Sequence, residues 1–100
     1  MEKFLETVRA LTKKDPKTIV ERTLKGVEEF GELAEAVLSS EKVSACAHKN
    51  LSQKDVVEEG VDVLLVTFSV IFQANPNINL QDLEALMLEK CNKWQKYINN

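Results

Sequence analysis

Two segments decide how this chain folds: VEEFGELAEAV at residues 27–37 and VVEEGVDVLLV at residues 56–66. Both are apolar, yet each has acidic side chains in its middle. These side chains are Glu28, Glu29, Glu32 and Glu35 in the first segment, and Glu58, Glu59 and Asp62 in the second. Because apolar residues recur with the 3.6-residue period of a helix, we predict that both segments are helical.

The same period extends along the rest of the chain, and no segment shows the alternation of a strand. We predict four helices: from about Glu2 to Thr12, from Pro16 (after an N-cap at Asp15) to about Ser39, from Ser52 to about Ala74, and from an N-cap at Asn79 to about Ile98. Residues 40–51 read as a connection. The predicted fold class is all-α, a four-helix bundle-like arrangement in a single domain of residues 1–100.

The third helix is apolar on every side in its second half, so we expect it to be buried on every side. In a chain of 100 residues that places it at a bundle centre or a subunit interface. We therefore expect a homo-oligomer.

Composition excludes several classes of protein. The chain is 44% apolar and 29% charged, with a net charge of −3, and it lacks the clustered basic face of a nucleic-acid-binding protein. The apolar run at residues 63–72 is too short for a membrane span of about 20 residues. Cys46 and Cys91 have no metal-site spacing; we expect two free thiols, with a single disulfide as the alternative. A soluble, cytoplasmic protein is expected.

The acidic residues are spaced as metal ligands on helices would be. Glu29 and Glu32 lie three residues apart, as do Glu59 and Asp62, so each pair shares one helix face. If both helices turn these faces to one core, the four carboxylates converge and require protons or a cation. Oxygen ligands without histidine favour Mg²⁺ or Mn²⁺. The alternative is a pair of solvated faces on which lysines such as Lys25 neutralise the acids.

The residues of the two segments and their spacing resemble those of a known protein family. EEFGELAEA (28–36) followed by EEGVDVLL (58–65) is similar to the MazG family of all-α nucleotide pyrophosphohydrolases, over residues 20–72. The resemblance implies that Glu29, Glu32, Glu59 and Asp62 bind Mg²⁺. It also implies hydrolysis of a (deoxy)nucleoside triphosphate to the monophosphate and pyrophosphate, in the removal of noncanonical or excess nucleotides.

Further roles follow from the same resemblance. Glu35 would support the metal site or activate a water, and Lys25 would meet a phosphate. Late-helix residues would contact phosphate or base, here Lys90, Asn92, Lys93 and Lys96, or else form a solvated helix end. The family also implies a homodimer or homotetramer. Phosphoribosyl-ATP pyrophosphatases are less similar, because their Tyr-His after the second motif is absent here. The rival interpretation is a catalytically inactive helical module that binds a protein or nucleotide.

Overall fold

The chain is all-α. The computed structural model describes residues 1–42 and 50–99, and within these ranges it contains four helices and no strand. They are α1 (Glu2–Lys14), α2 (Ile19–Ser40), α3 (Gln53–Ala74) and α4 (Leu80–Asn99). The predicted fold class is confirmed at this level. Most of the predicted connection at residues 40–51 lies outside the described residues.

Two of the predicted helix starts are confirmed. The carboxylate of Asp55 accepts hydrogen bonds from the backbone N–H of Ser52 at 2.7 Å and from its hydroxyl at 3.0 Å. The side-chain oxygen of Asn79 accepts from the N–H groups of Gln81 at 2.8 Å and Asp82 at 3.2 Å. Each arrangement satisfies donors that a helix terminus otherwise leaves without partners.

The predicted start of α2 is wrong. Thr18, not Asp15, is the N-cap: its hydroxyl accepts from the N–H of Glu21 at 3.1 Å, and the Glu21 carboxylate accepts from the N–H of Thr18 at 2.8 Å. This reciprocal pair satisfies two donors at once. Asp15 instead ends α1 in an extended conformation, as expected for a residue that precedes proline.

The apolar core lies at one end of α3. Leu5 and Val8 of α1 pack with Phe68 and Phe72 of α3 and with Leu83 of α4. The rings of Phe68 and Phe72 stack with centroids 6.5 Å apart. This cluster joins α1, α3 and the beginning of α4, and it leaves the middle of α2 and the first half of α3 for other contacts.

Helix α2 packs on α3 without burying its own large apolar side chains. Its buried residues are Arg22, Glu29, Ala36 and Ser39, which are polar or small. Most of its large apolar residues are exposed; Leu24 is 64% exposed and Val27 69% exposed. An apolar helix face without cover in its own chain is typical of a surface that another molecule covers.

One chain does not close a compact bundle. Its radius of gyration is 16.0 Å, whereas a compact domain of this length has about 13 Å. Every residue from 88 to 99 on α4 is exposed, because only the beginning of that helix reaches the core. Burial of the second half of α3 on every side is also wrong for the single chain: Leu64 is 49% and Leu65 38% exposed.

None of the helices in the described ranges is long and apolar enough to cross a bilayer.

Candidate metal centre

Three of the four predicted metal ligands meet where α2 faces α3. Glu29, Glu59 and Asp62 each place one carboxylate oxygen within 4.8 Å of the other two. Glu29 is buried, Glu59 is half-buried and Asp62 is exposed. The helical spacing brings Glu59 and Asp62 onto one face of α3, and the packing of α2 against α3 supplies Glu29 from the opposite side.

Two carboxylate oxygens of this cluster have unmet hydrogen-bonding capacity. Oε2 of Glu29 and Oε2 of Glu59 are buried, and neither has a hydrogen-bond partner among the described residues. A buried charged acceptor without a partner is costly. A divalent cation would satisfy both oxygens and reduce the repulsion among the three charges. The donor set therefore fits a hard cation such as Mg²⁺ or Mn²⁺.

Lys25 lies beside the cluster on α2. Its Nζ is 3.0 Å from Glu29 Oε1 and 3.4 Å from Glu28 Oε1. The hydrogen bond to Glu29, followed by that to Glu28, raises the pKa of Lys25 above its ordinary value. The sequence allowed the alternative that lysines neutralise the acidic residues. Lys25 does pair with one acid of the cluster, Glu29, so this alternative holds in part. One ammonium still leaves the other carboxylates without a cation.

Glu32, the fourth predicted ligand, lies next to the cluster and is not one of its three members. The charge of Glu29 raises the pKa of Glu32, and burial and then the charge of Glu59 act in the same direction. The negative charges of Glu29 and Glu59 therefore also act on Glu32. Glu35 is exposed one turn further along α2, and its predicted part in activating water stays a prediction.

A cleft of about 370 Å³ opens beside the carboxylates. Its size falls within the range of small-molecule sites. Glu29, Asp62 and Lys25 lie in its lining, and its apolar wall includes Val8, Leu11, Leu65 and Val66. The cleft thus joins the candidate metal centre to an apolar surface formed by α1 and α3.

Sequence reasoning missed two cations of this cleft, Lys17 and Arg22. Arg22 lies three residues before Lys25 and seven before Glu29, so all three share one face of α2. That spacing was a usable signal. The contribution of α1 to the cleft had no comparable signal, because nothing in the first helix indicates which neighbour it packs against.

The predicted phosphate or base contacts on α4 are not at this site in the single chain. Lys90, Asn92, Lys93 and Lys96 are all exposed, and no residue of α4 lines the cleft. Cys91, on the same helix, is a free exposed thiol, as expected. Cys46, the other predicted free thiol, lies outside the described residues.

Comparison of the chain with models of protein families, with curated proteins and with solved structures finds no match. Fold and site define the protein as an all-α chain with a carboxylate cluster beside a cleft of small-molecule size.

Proposed function

We propose that the chain is a Mg²⁺-dependent nucleoside triphosphate pyrophosphohydrolase. It would convert noncanonical or excess (deoxy)nucleoside triphosphates to the monophosphate and pyrophosphate in the cytoplasm. The observation that supports this most is the convergence of Glu29, Glu59 and Asp62 within 4.8 Å, with two buried oxygens lacking partners. The motif resemblance to the MazG family supports the same reaction.

Glu29, Glu59 and Asp62 would hold the metal, with Glu32 as a further ligand. Mg²⁺, or Mn²⁺ in its place, would offset phosphate charge and favour ionisation of an attacking water. Of the protein's own groups, Glu35 remains the candidate to orient that water. Lys25, already bonded to Glu29 at 3.0 Å, is placed to neutralise a phosphate oxygen next to the carboxylates.

The active form would be a homodimer or homotetramer. Leu80, Leu83 and Met87 pack at the core end of α4, and the same helix face continues through Trp94 and Ile98, which are 66% and 64% exposed. A continuous apolar stripe buried only in its first half needs a partner for its second. A second copy of the chain would also give Lys90, Asn92, Lys93 and Lys96 a route to a substrate bound on the neighbouring subunit.

The same exposed stripe favours the second candidate, a catalytically inactive module that binds another protein. The two candidates differ in what the carboxylates do. An enzyme requires them for turnover, whereas a binding module needs only the apolar surface.

Release of pyrophosphate from a panel of canonical and modified nucleoside triphosphates tests the proposal, measured with Mg²⁺, with Mn²⁺ and with EDTA. We expect metal-dependent release with the monophosphate as co-product. The matched variants are Glu59→Gln and Glu58→Gln, which remove the same charge from adjacent positions of α3. Activity should be lost only in the first. If the folded protein releases no pyrophosphate from any substrate, the proposed enzymatic activity is wrong and the second candidate, a protein-binding module, takes its place.

A further inference from the structure

Arg22 is a buried cation without a carboxylate partner. The residue is 6% exposed, and the ion pairs among the described residues involve only Lys25. Its Nη2 donates to the carbonyl oxygens of Asp15 at 2.8 Å and Thr12 at 3.1 Å. Its Nε is buried and has no hydrogen-bond partner in the part of the chain that the structure describes.

A structural role explains part of this arrangement. The two carbonyl groups belong to the end of α1 and the link to α2, where the helix dipole favours a cation. Arg22 therefore fixes the position of α1 against α2. That role accounts for the hydrogen bonds of Nη2. It provides no acceptor for the Nε–H group and no anion for the positive charge. A buried charge of this kind calls for a counter-charge.

The cleft beside the carboxylates is where that counter-charge can enter. Arg22 and Lys25 both line it, and Glu29 follows on the same face of α2. Lys17 contributes a third cation from the link between α1 and α2. The cleft lining thus includes three cations together with Glu29 and Asp62 of the carboxylate cluster. Guanidinium groups suit phosphate because their planar donors match two of its oxygens.

We propose that this cleft is a pyrophosphate-binding site in which Arg22, Lys25 and Lys17 contact the phosphate oxygens. In the proposed reaction, on which this assignment to the substrate rests, the cleft holds the β- and γ-phosphates. The bond to be cleaved then lies at the carboxylate cluster. Leu65 and Val66 form an apolar wall of the cleft, and the lower local dielectric beside it strengthens the attraction between the cations and the phosphates.

Asp15 is the carboxylate of the cleft lining that lies outside the three-carboxylate cluster, and it provides a control. Its Oδ1 accepts a hydrogen bond from the N–H of Lys17 at 3.1 Å. In Asp15→Asn the amide oxygen can keep that bond while the negative charge disappears. Pyrophosphate should therefore bind about two- to fivefold more tightly to this variant.

The test is calorimetric titration of the full chain with inorganic pyrophosphate, in Mg²⁺ and again in EDTA. In Arg22→Gln we expect the affinity to fall about tenfold or more. Arg9→Gln is the matched control, because Arg9 also donates to a backbone carbonyl, that of Ile78 at 2.8 Å, but does not line the cleft. Its pyrophosphate affinity should equal that of the wild type.

An Arg22→Gln protein that is folded by circular dichroism and binds pyrophosphate within about twofold of the wild type overturns the assignment. If that variant does not fold, Asp15→Asn decides, and an unchanged affinity there overturns it equally. Failure of the proposed function gives a different result. If pyrophosphate binds with an affinity that depends on Arg22 but no substrate is turned over, this site is retained and the proposed enzymatic activity is wrong. If substrate is turned over and inhibition by pyrophosphate does not depend on Arg22, the activity is retained and this site is wrong.

Discussion

Replacing Glu59 by Gln should stabilise the metal-free protein and strongly reduce its turnover. At 4.8 Å, the upper limit for the cluster's oxygens, two unit negative charges repel by about 1 kcal/mol in water and by about 3.5 kcal/mol at an effective dielectric constant of ~20. Glu59 faces two carboxylates, of which Glu29 is partly neutralised by Lys25. Because Asp62 is exposed and its repulsion is screened by solvent and salt, we expect a net gain of about 1 kcal/mol. That corresponds to a rise in Tm of about 4–8 °C.

Addition of Mg²⁺ should reverse this order of stability. The wild type gains stability as RT ln(1 + c/Kd), where c is the concentration of free Mg²⁺, whereas the variant has lost a ligand, binds the metal more weakly and gains less. Loss of the metal's electrostatic contribution, about 3 kcal/mol, lowers kcat by about a hundredfold. Thermal denaturation in EDTA and in a Mg²⁺ series, with turnover on the best substrate, measures all three effects.

The control is Glu58→Gln, since Glu58 is exposed and lies outside the three-carboxylate cluster. It should leave both the metal-induced change in Tm and kcat as in the wild type. The reasoning is refuted if Glu59→Gln retains wild-type turnover. It is refuted as well if the metal-free variant melts below the wild type, because repulsion would then not be the dominant interaction of Glu59.

Four further perturbations test other parts of the structure. Thr18→Ala removes the N-cap of α2 and should lower the free energy of unfolding in urea by about 1 kcal/mol. The neighbours of Glu32 raise its pKa above 4.5, so folding favours the protonated form of this side chain. In EDTA the free energy of unfolding should therefore fall as the pH rises through the raised pKa, and the Glu32→Gln variant should not show this fall. Trp94→Asp should convert an oligomer to a monomer in light scattering, since Trp94 is 66% exposed in the single chain. Gly31→Ala should raise stability by about 1 kcal/mol, because an added Cβ meets nothing within 4 Å; a loss of stability would mean that a second molecule approaches α2 there.

The sequence predicted the elements of the fold better than their packing. Helix type and caps such as Asn79 depend on neighbouring residues, which the local pattern records. The faces of α2 did not follow in the same way. Its apolar period predicts a helix with apolar faces, but Leu24 and Val27 on those faces are exposed in the single chain. Periodicity identifies an apolar face without identifying which molecule covers it.

The candidate site shows the same limit. Spacing alone placed Glu59 and Asp62 on one helix face, and the pairing of two acidic helices placed Glu29 opposite them. The spacing does not distinguish Glu32 from the three carboxylates that converge. Glu32 shares the spacing but lies outside the three-carboxylate cluster. Nor does the spacing predict the cleft, because the cleft depends on where the end of α1 meets α2, which Arg22 fixes through carbonyl oxygens of the link.

Placing carboxylates within apolar helices has a physical consequence for the whole chain. Glu29, Glu59 and Asp62 lie within 4.8 Å of one another where α2 faces α3, so Glu29 and, in part, Glu59 occupy positions that could otherwise bury apolar side chains. Helix α2 then buries mainly polar or small residues against α3 and leaves its large apolar residues outside. In the proposed metal-bound oligomer, a cation at the carboxylates and subunits over the outer faces would restore the stability given up there. Both contributions depend on concentration by mass action. Folding of this chain should therefore respond to Mg²⁺ and to protein concentration as two separate variables.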